Sequence, residues 1–156
     1  MRFFVFFIMM LSLFAMSCGR EKATQLDLQT HLPGLWEAEL LKVKVNTANN
    51  TDSTYTFEAN ADNWIQQFQV KPFRTYYQED NKYRIEHRML NDSLLNMSRG
   101  IWNVFGDTLI RIESNATYQY IVKLEPGRLE YHALVDWDGD GQEDDEYLEV
   151  QRFLEK

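Results

Sequence analysis

From Pro33-Gly34 to the C-terminus the chain repeats one device: a short run of alternating apolar and polar residues, then a turn. Within 35–45, Leu41, Val43 and Val45 share one parity while Lys42 and Lys44 take the other. That is the period of a strand with one face in a core and the other in water. Strand-like segments follow at 53–58, 73–78, 82–89, 101–105, 108–113, 117–124, 129–135 and 146–153. The connections Glu79-Asp80-Asn81, Gly106-Asp107, Ser114-Asn115 and Glu125-Pro126-Gly127 carry hairpin-turn chemistry. Many short strands on tight turns predict an all-β chain, an antiparallel barrel or sandwich. Within 61–70, Trp64, Ile65 and Phe68 fit one helical face, so this stretch reads as a short helix or an irregular crossing.

Ahead of the strands, Arg2 precedes an apolar run that ends in small residues at Cys18, the chain's single cysteine. The run is too short for a bilayer span, which needs about 20 apolar residues, and has the layout of an export signal. Ala15-Met16-Ser17-Cys18 resembles the relaxed lipobox of bacterial lipoproteins. The resemblance implies removal of residues 1–17, acylation of Cys18 and attachment to a membrane. Residues 18–32 then form a polar tether, and 33–156 a single domain. No aspartate follows Cys18 directly, so the anchor is expected in the outer membrane, facing the periplasm. The full sequence carries a formal charge of −8, and loss of Arg2 makes it one unit more negative. Such a chain is a poor partner for nucleic acid, whose binding depends on Lys and Arg neutralising phosphates.

Gly34-Leu35-Trp36, at the start of the first strand, resembles the lipocalin signature. In that family the Trp packs at one barrel end beneath an arginine of the last strand, which implies Arg152 as the partner of Trp36. A second Gly-x-Trp, Gly100-Ile101-Trp102, precedes Gly106-Asp107-Thr108-Leu109, similar to a late hairpin of bacterial lipocalin-like domains. The resemblance implies a single up-and-down barrel of about eight strands, and a small apolar ligand held inside it.

The sharpest chemical signal is 136–146, where seven of eleven residues are carboxylates and none is basic. Calcium takes 6–8 oxygen ligands, and Asp at alternate positions followed by Gly is shared by its binding loops. An EF-hand would place Glu where Tyr147 stands. The closer resemblance is the DxDxDGxxD calcium hairpin found between β-strands. It implies Asp136, Asp138, Asp140 and Asp144 as ligands with the Gln142 carbonyl, and Asp145 as an extra or alternative carboxylate. The ion would be structural.

Catalytic signals are sparse. His31, His87 and His132 lack metal-ligand spacing, and no Gly-x-Ser-x-Gly elbow or phosphate-cradling loop is present. Phe73, Tyr76, Tyr77 and Tyr83 line either a core or a pocket. Two expectations remain: a barrel carrying a small apolar ligand, or a filled barrel that docks an envelope protein. Neither is an enzyme.

Overall fold

The computed structural model describes residues 26–156. The expected export signal and the expected lipidation site Cys18 lie outside the described residues. Nine antiparallel strands form one sheet that closes on itself: β1 (Gly34–Val45), β2 (Tyr55–Asn60), β3 (Arg74–Tyr77), β4 (Lys82–Arg88), β5 (Leu94–Phe105), β6 (Thr108–Ile112), β7 (Thr117–Glu125), β8 (Arg128–Val135) and β9 (Asp145–Glu155). Eight of them, β1 and β3 to β9 in chain order, make the barrel, closed by pairing of β1 with β9. The extra strand is β2. It takes the edge of β1 from Leu40 to Val45 and leaves only Gly34–Glu37 for β3.

The helix expected within 61–70 is α2 (Trp64–Phe68). Its Trp64 is buried with Ala38, Leu41 and Ala59, backed by Phe68 and Phe73, in the wedge where β2 and β3 diverge along β1.

Trp36 and Ala38 are buried, and so are Leu41, Val43 and Val45, although the two sets differ in parity. A register shift against β9 between Ala38 and Leu40 inserts one residue and reverses the phase. Without that bulge one set would face water.

The two Gly-x-Trp motifs share one structural logic. A Cβ at Gly100 would lie 2.1 Å from the Ile112 carbonyl oxygen, and one at Gly34 would lie 2.5 Å from the Phe153 ring. Each glycine permits a close approach, and two residues on, each Trp side chain enters the core. The Trp36 indole donates to the Leu32 carbonyl at 2.9 Å and the Trp102 indole to the Gln78 carbonyl at 3.2 Å. Each bond spares a buried indole the cost of an unpaired N–H, about 1–3 kcal/mol; among the described residues the buried Trp64 Nε1 has no such partner.

Two sequence expectations are corrected. Residues 26–32, assigned to the tether, are folded: α1 (Leu28–His31) is capped by the Asp27 side chain, which accepts the Thr30 N–H. Leu28 and Leu32 are buried with Trp36, Leu109, Leu124 and Leu129. This cluster plugs one barrel end, so the domain begins before Pro33. A single helical turn is too short to show a period, which hid it. Second, β5 starts at Leu94 rather than at 101. In its first half Leu94, Leu95, Asn96 and Arg99 are exposed and Met97, Ser98 and Gly100 only half-buried, so no clean apolar–polar alternation marks it.

Candidate functional site

At the barrel end opposite α1, the acidic 136–144 loop between β8 and β9 meets the 46–54 loop between β1 and β2. Thr47, Asn49 and Asn50 have φ of 43°, 52° and 59°. Asparagine adopts this left-handed region more readily than most residues, and the turn aims backbone N–H groups at carboxylates. Asn49 N–H donates to Asp138 at 2.6 Å and Asn50 N–H to Asp140 at 3.0 Å. Thr47 Oγ1 donates to Asp144 at 2.8 Å. Asp145, which is buried, accepts the Asn46 N–H at 2.9 Å and the Trp137 N–H at 2.7 Å, stitching the two loops together.

Among the described residues, Asp136, Asp138 and Asp145 bring carboxylate oxygens within 4.8 Å of one another, a separation one cation can bridge. Asp140 and Asp144 stand outside this triad and turn to Asn50 and Thr47. The Gln142 N–H donates to Asp140 at 2.9 Å and its amide to Asn50 at 2.8 Å. Asp145, secondary in the sequence reading, is thus central. Among the described residues, Lys44, joined to Glu146 at the start of β9 at 2.6 Å, is the one Lys or Arg in an ion pair with the 136–146 stretch. One Asp144 carboxylate oxygen is buried without a hydrogen-bond partner.

The barrel interior holds a second constellation, which the sequence reading missed. Arg111 is 5% exposed. Its Nη2 donates to the Tyr120 hydroxyl at 2.6 Å, and its guanidinium carbon lies 4.6, 5.5 and 5.7 Å from the Tyr120, Tyr131 and Tyr83 ring centroids. Cation–π contacts of this kind contribute about 2 kcal/mol when desolvated. The Tyr77 and Tyr131 hydroxyls hydrogen bond at 3.0 Å, spanning β3 and β8, which are not sheet neighbours. Gln151 Nε2 donates to Thr75 Oγ1 at 3.0 Å and also to Glu149, which accepts the Tyr147 hydroxyl as well.

Burial raises the pKa of Tyr77, Tyr120, Tyr131 and Tyr147, so these hydroxyls stay protonated donors. Burial works against the charge on Arg111, but Glu149 nearby and the Tyr120 hydroxyl, which accepts from it, favour the charged guanidinium, whose pKa is raised. The interior is therefore filled by polar side chains, with Arg111 Nε and Nη1 and Gln151 Oε1 buried there without a hydrogen-bond partner among the described residues. A signal was available: Arg111 shares parity with Leu109, and Gln151 with Glu149 and Tyr147.

Trp36 and Arg152 are not brought together. Phe153 stands opposite Trp36 and meets its ring edge-on, with centroids 5.1 Å apart. Arg152, one residue earlier and so on the outer face, donates to Glu37 at 2.7 Å, beside Arg74 at 2.9 Å. Burial works against ionisation of Glu37, but hydrogen bonds from Arg152 and Arg74 outweigh it and hold the carboxyl below its ordinary range.

Neither protein-family models nor curated proteins nor solved structures yield a match to this chain.

Proposed function

We propose that this chain is a lipid-anchored module of the bacterial cell envelope, a filled barrel clipped by calcium that acts by presenting its surface to a partner. The leader-like residues 1–17 and the position of Cys18 support the anchor, with the outer membrane and its periplasmic face as the site. The observation that carries the filled-barrel reading is the Tyr77–Tyr131 hydrogen bond at 3.0 Å between non-adjacent strands. With Arg111 and Glu149 buried beside it, a small apolar ligand would have to break polar contacts and strand charges. Leaving a buried polar group unpaired costs about 1–3 kcal/mol, and a charge more. This favours docking of an envelope protein over carriage of an apolar ligand, and no catalytic role is assigned.

The calcium reading rests on the triad Asp136, Asp138 and Asp145. Carboxylates at such separations repel unless a cation lies among them. The ion would lock the 46–54 loop to the 136–144 loop and so clasp β1 to β9. Extracellular modules bind calcium at about 10⁻⁴–10⁻³ M.

Native mass spectrometry of the protein, exported to a periplasm and purified in calcium, tests both parts. The expected mass is that of the acylated chain plus one calcium ion. A stoichiometric organic adduct would overturn the filled barrel. Absence of calcium, with a melting temperature indifferent to chelation, would overturn the clip.

A further inference from the structure

The β4–β5 ribbon carries an unused edge. β5 runs from Leu94 to Phe105, yet β6 pairs with it only from Ile101 onward. The Trp102 N–H goes to the Asn81 carbonyl on the β4 side. By the two-residue alternation of a strand, the Met97 and Arg99 backbone groups therefore face the other way. No strand among the described residues takes them. The Met97 N–H is met only by the side chain of its neighbour Asn96, at 2.8 Å. Exposed edges of this kind are templates for an added strand, and proteins usually cover them.

Charge points the same way. Arg84 and Arg99 are direct cross-strand neighbours on β4 and β5, and like charges so placed are destabilising. Glu86 is already shared by Arg84 at 3.0 Å and Arg88 at 2.8 Å. Arg99 has no ion-pair partner among the described residues. A groove of about 440 Å³ runs beside them, lined by Lys82, Arg84 and Arg99 together with Met97 and Ile101, with no carboxylate in its wall. Lys82 is paired with Asp80 and Arg84 with Glu86, so on a chain of net charge −8 Arg99 is the uncompensated cation of this groove, with apolar flanks.

We propose that the free edge of β5 accepts an extended, acidic segment of another protein as an added strand, with apolar side chains beside Met97 and Ile101 and a carboxylate against Arg99. The assignment deepens the docking role proposed above and rests on it. A second copy of this edge is disfavoured, because residues 94–100 would bring no carboxylate to Arg99. A bilayer would supply phosphates to the arginines but nothing for the backbone N–H and C=O groups, so a protein strand fits the site better than a lipid surface.

The test is selection of a randomised ten-residue peptide display library on the full protein, followed by amide hydrogen exchange. The expected pool carries an acidic residue two positions from an apolar one, binds the Arg99→Glu variant at least tenfold more weakly, and slows exchange of the Arg99 amide at least fivefold. Met97→Pro should also abolish binding, because that N–H faces the free edge and its loss leaves the β4 ladder whole. Circular dichroism of both variants serves as the check on folding. An empty selection, a neutral or basic pool, or equal affinity for the protein and its Arg99→Glu variant overturns the proposal. Arg99-dependent binding to phosphatidylglycerol vesicles with an empty selection overturns it in favour of a lipid surface. An empty selection on protein that shows one calcium and no organic adduct rejects the edge alone and leaves the filled barrel standing.

Discussion

Replacing Asp136 by asparagine removes one negative charge from the triad while keeping an acceptor for the Gly141 N–H, which Asp136 receives at 3.0 Å. The three carboxylates lie within 4.8 Å of one another. Two unit charges at that separation repel by about 3.5 kcal/mol at an effective dielectric of 20 and by about 0.9 kcal/mol in water. Asp136 is exposed, so the lower figure governs, and relief from two neighbours comes to about 1–2 kcal/mol at low salt. In chelator Asp136→Asn should therefore melt higher than the parent, by roughly 3–8 °C for a domain of this size. In calcium most or all of that advantage should disappear. At a calcium concentration 100 times Kd the ion stabilises the parent by about 2.7 kcal/mol, and a tenfold weaker site retains only about 1.4 kcal/mol. The assay is thermal unfolding by circular dichroism, with and without calcium, at low ionic strength. A variant that melts lower in chelator and responds to calcium like the parent would show that loop N–H groups already neutralise the cluster and that no ion is needed.

Two further outcomes follow from the geometry. Arg152→Ala should cost under about 1 kcal/mol in urea unfolding, as exposed ion pairs do, whereas Phe153→Ala should cost about 1–3 kcal/mol through the lost contact with Trp36; the opposite ranking would restore Arg152 as the residue closing over Trp36. Burial lowers the pKa of His87, so the unfolded chain binds a proton that the folded protein resists as pH falls through about 6.5. Stability in chelator should therefore decline from pH 7.5 to 5.5, and decline less in His87→Phe; parallel curves would remove His87 as the cause.

Period and turn chemistry exposed the barrel because one face of most strands meets a core. Leu41, Val43 and Val45 announce themselves for that reason. The bulge between Ala38 and Leu40 did not, since a phase reversal has meaning only against the partner strand. The Leu94–Gly100 edge escaped notice for a related cause: none of its residues is fully buried, so no clean alternation marks it. The acidic loop was visible as composition, but its companion was not, because Asn46–Asn50 looks like any polar turn until folding carries it to Asp138 and Asp145. The choice of Asp145 over Asp140 and Asp144 depends on which oxygens converge, and sequence spacing does not contain that. Arg111 and Glu149 could have been found by asking which charged residues fall on the inward parity.

The seam between β1 and β9 has a consequence for how the chain reaches its fold. Lys44 and Glu146, paired across it, stand 102 positions apart, so the barrel's last ladder joins the two ends of the domain. Contacts of such long sequence separation form late and slowly. A nascent chain emerging N-terminus first can zip β3 through β8 as successive hairpins, but it cannot close until β9 has been delivered. Until then β1 and β8 each present an open edge, the hazard that makes large β topologies prone to aggregation. The loops that meet at Asp145 sit at one end of this same seam, so closure of the barrel is recorded there as a latch.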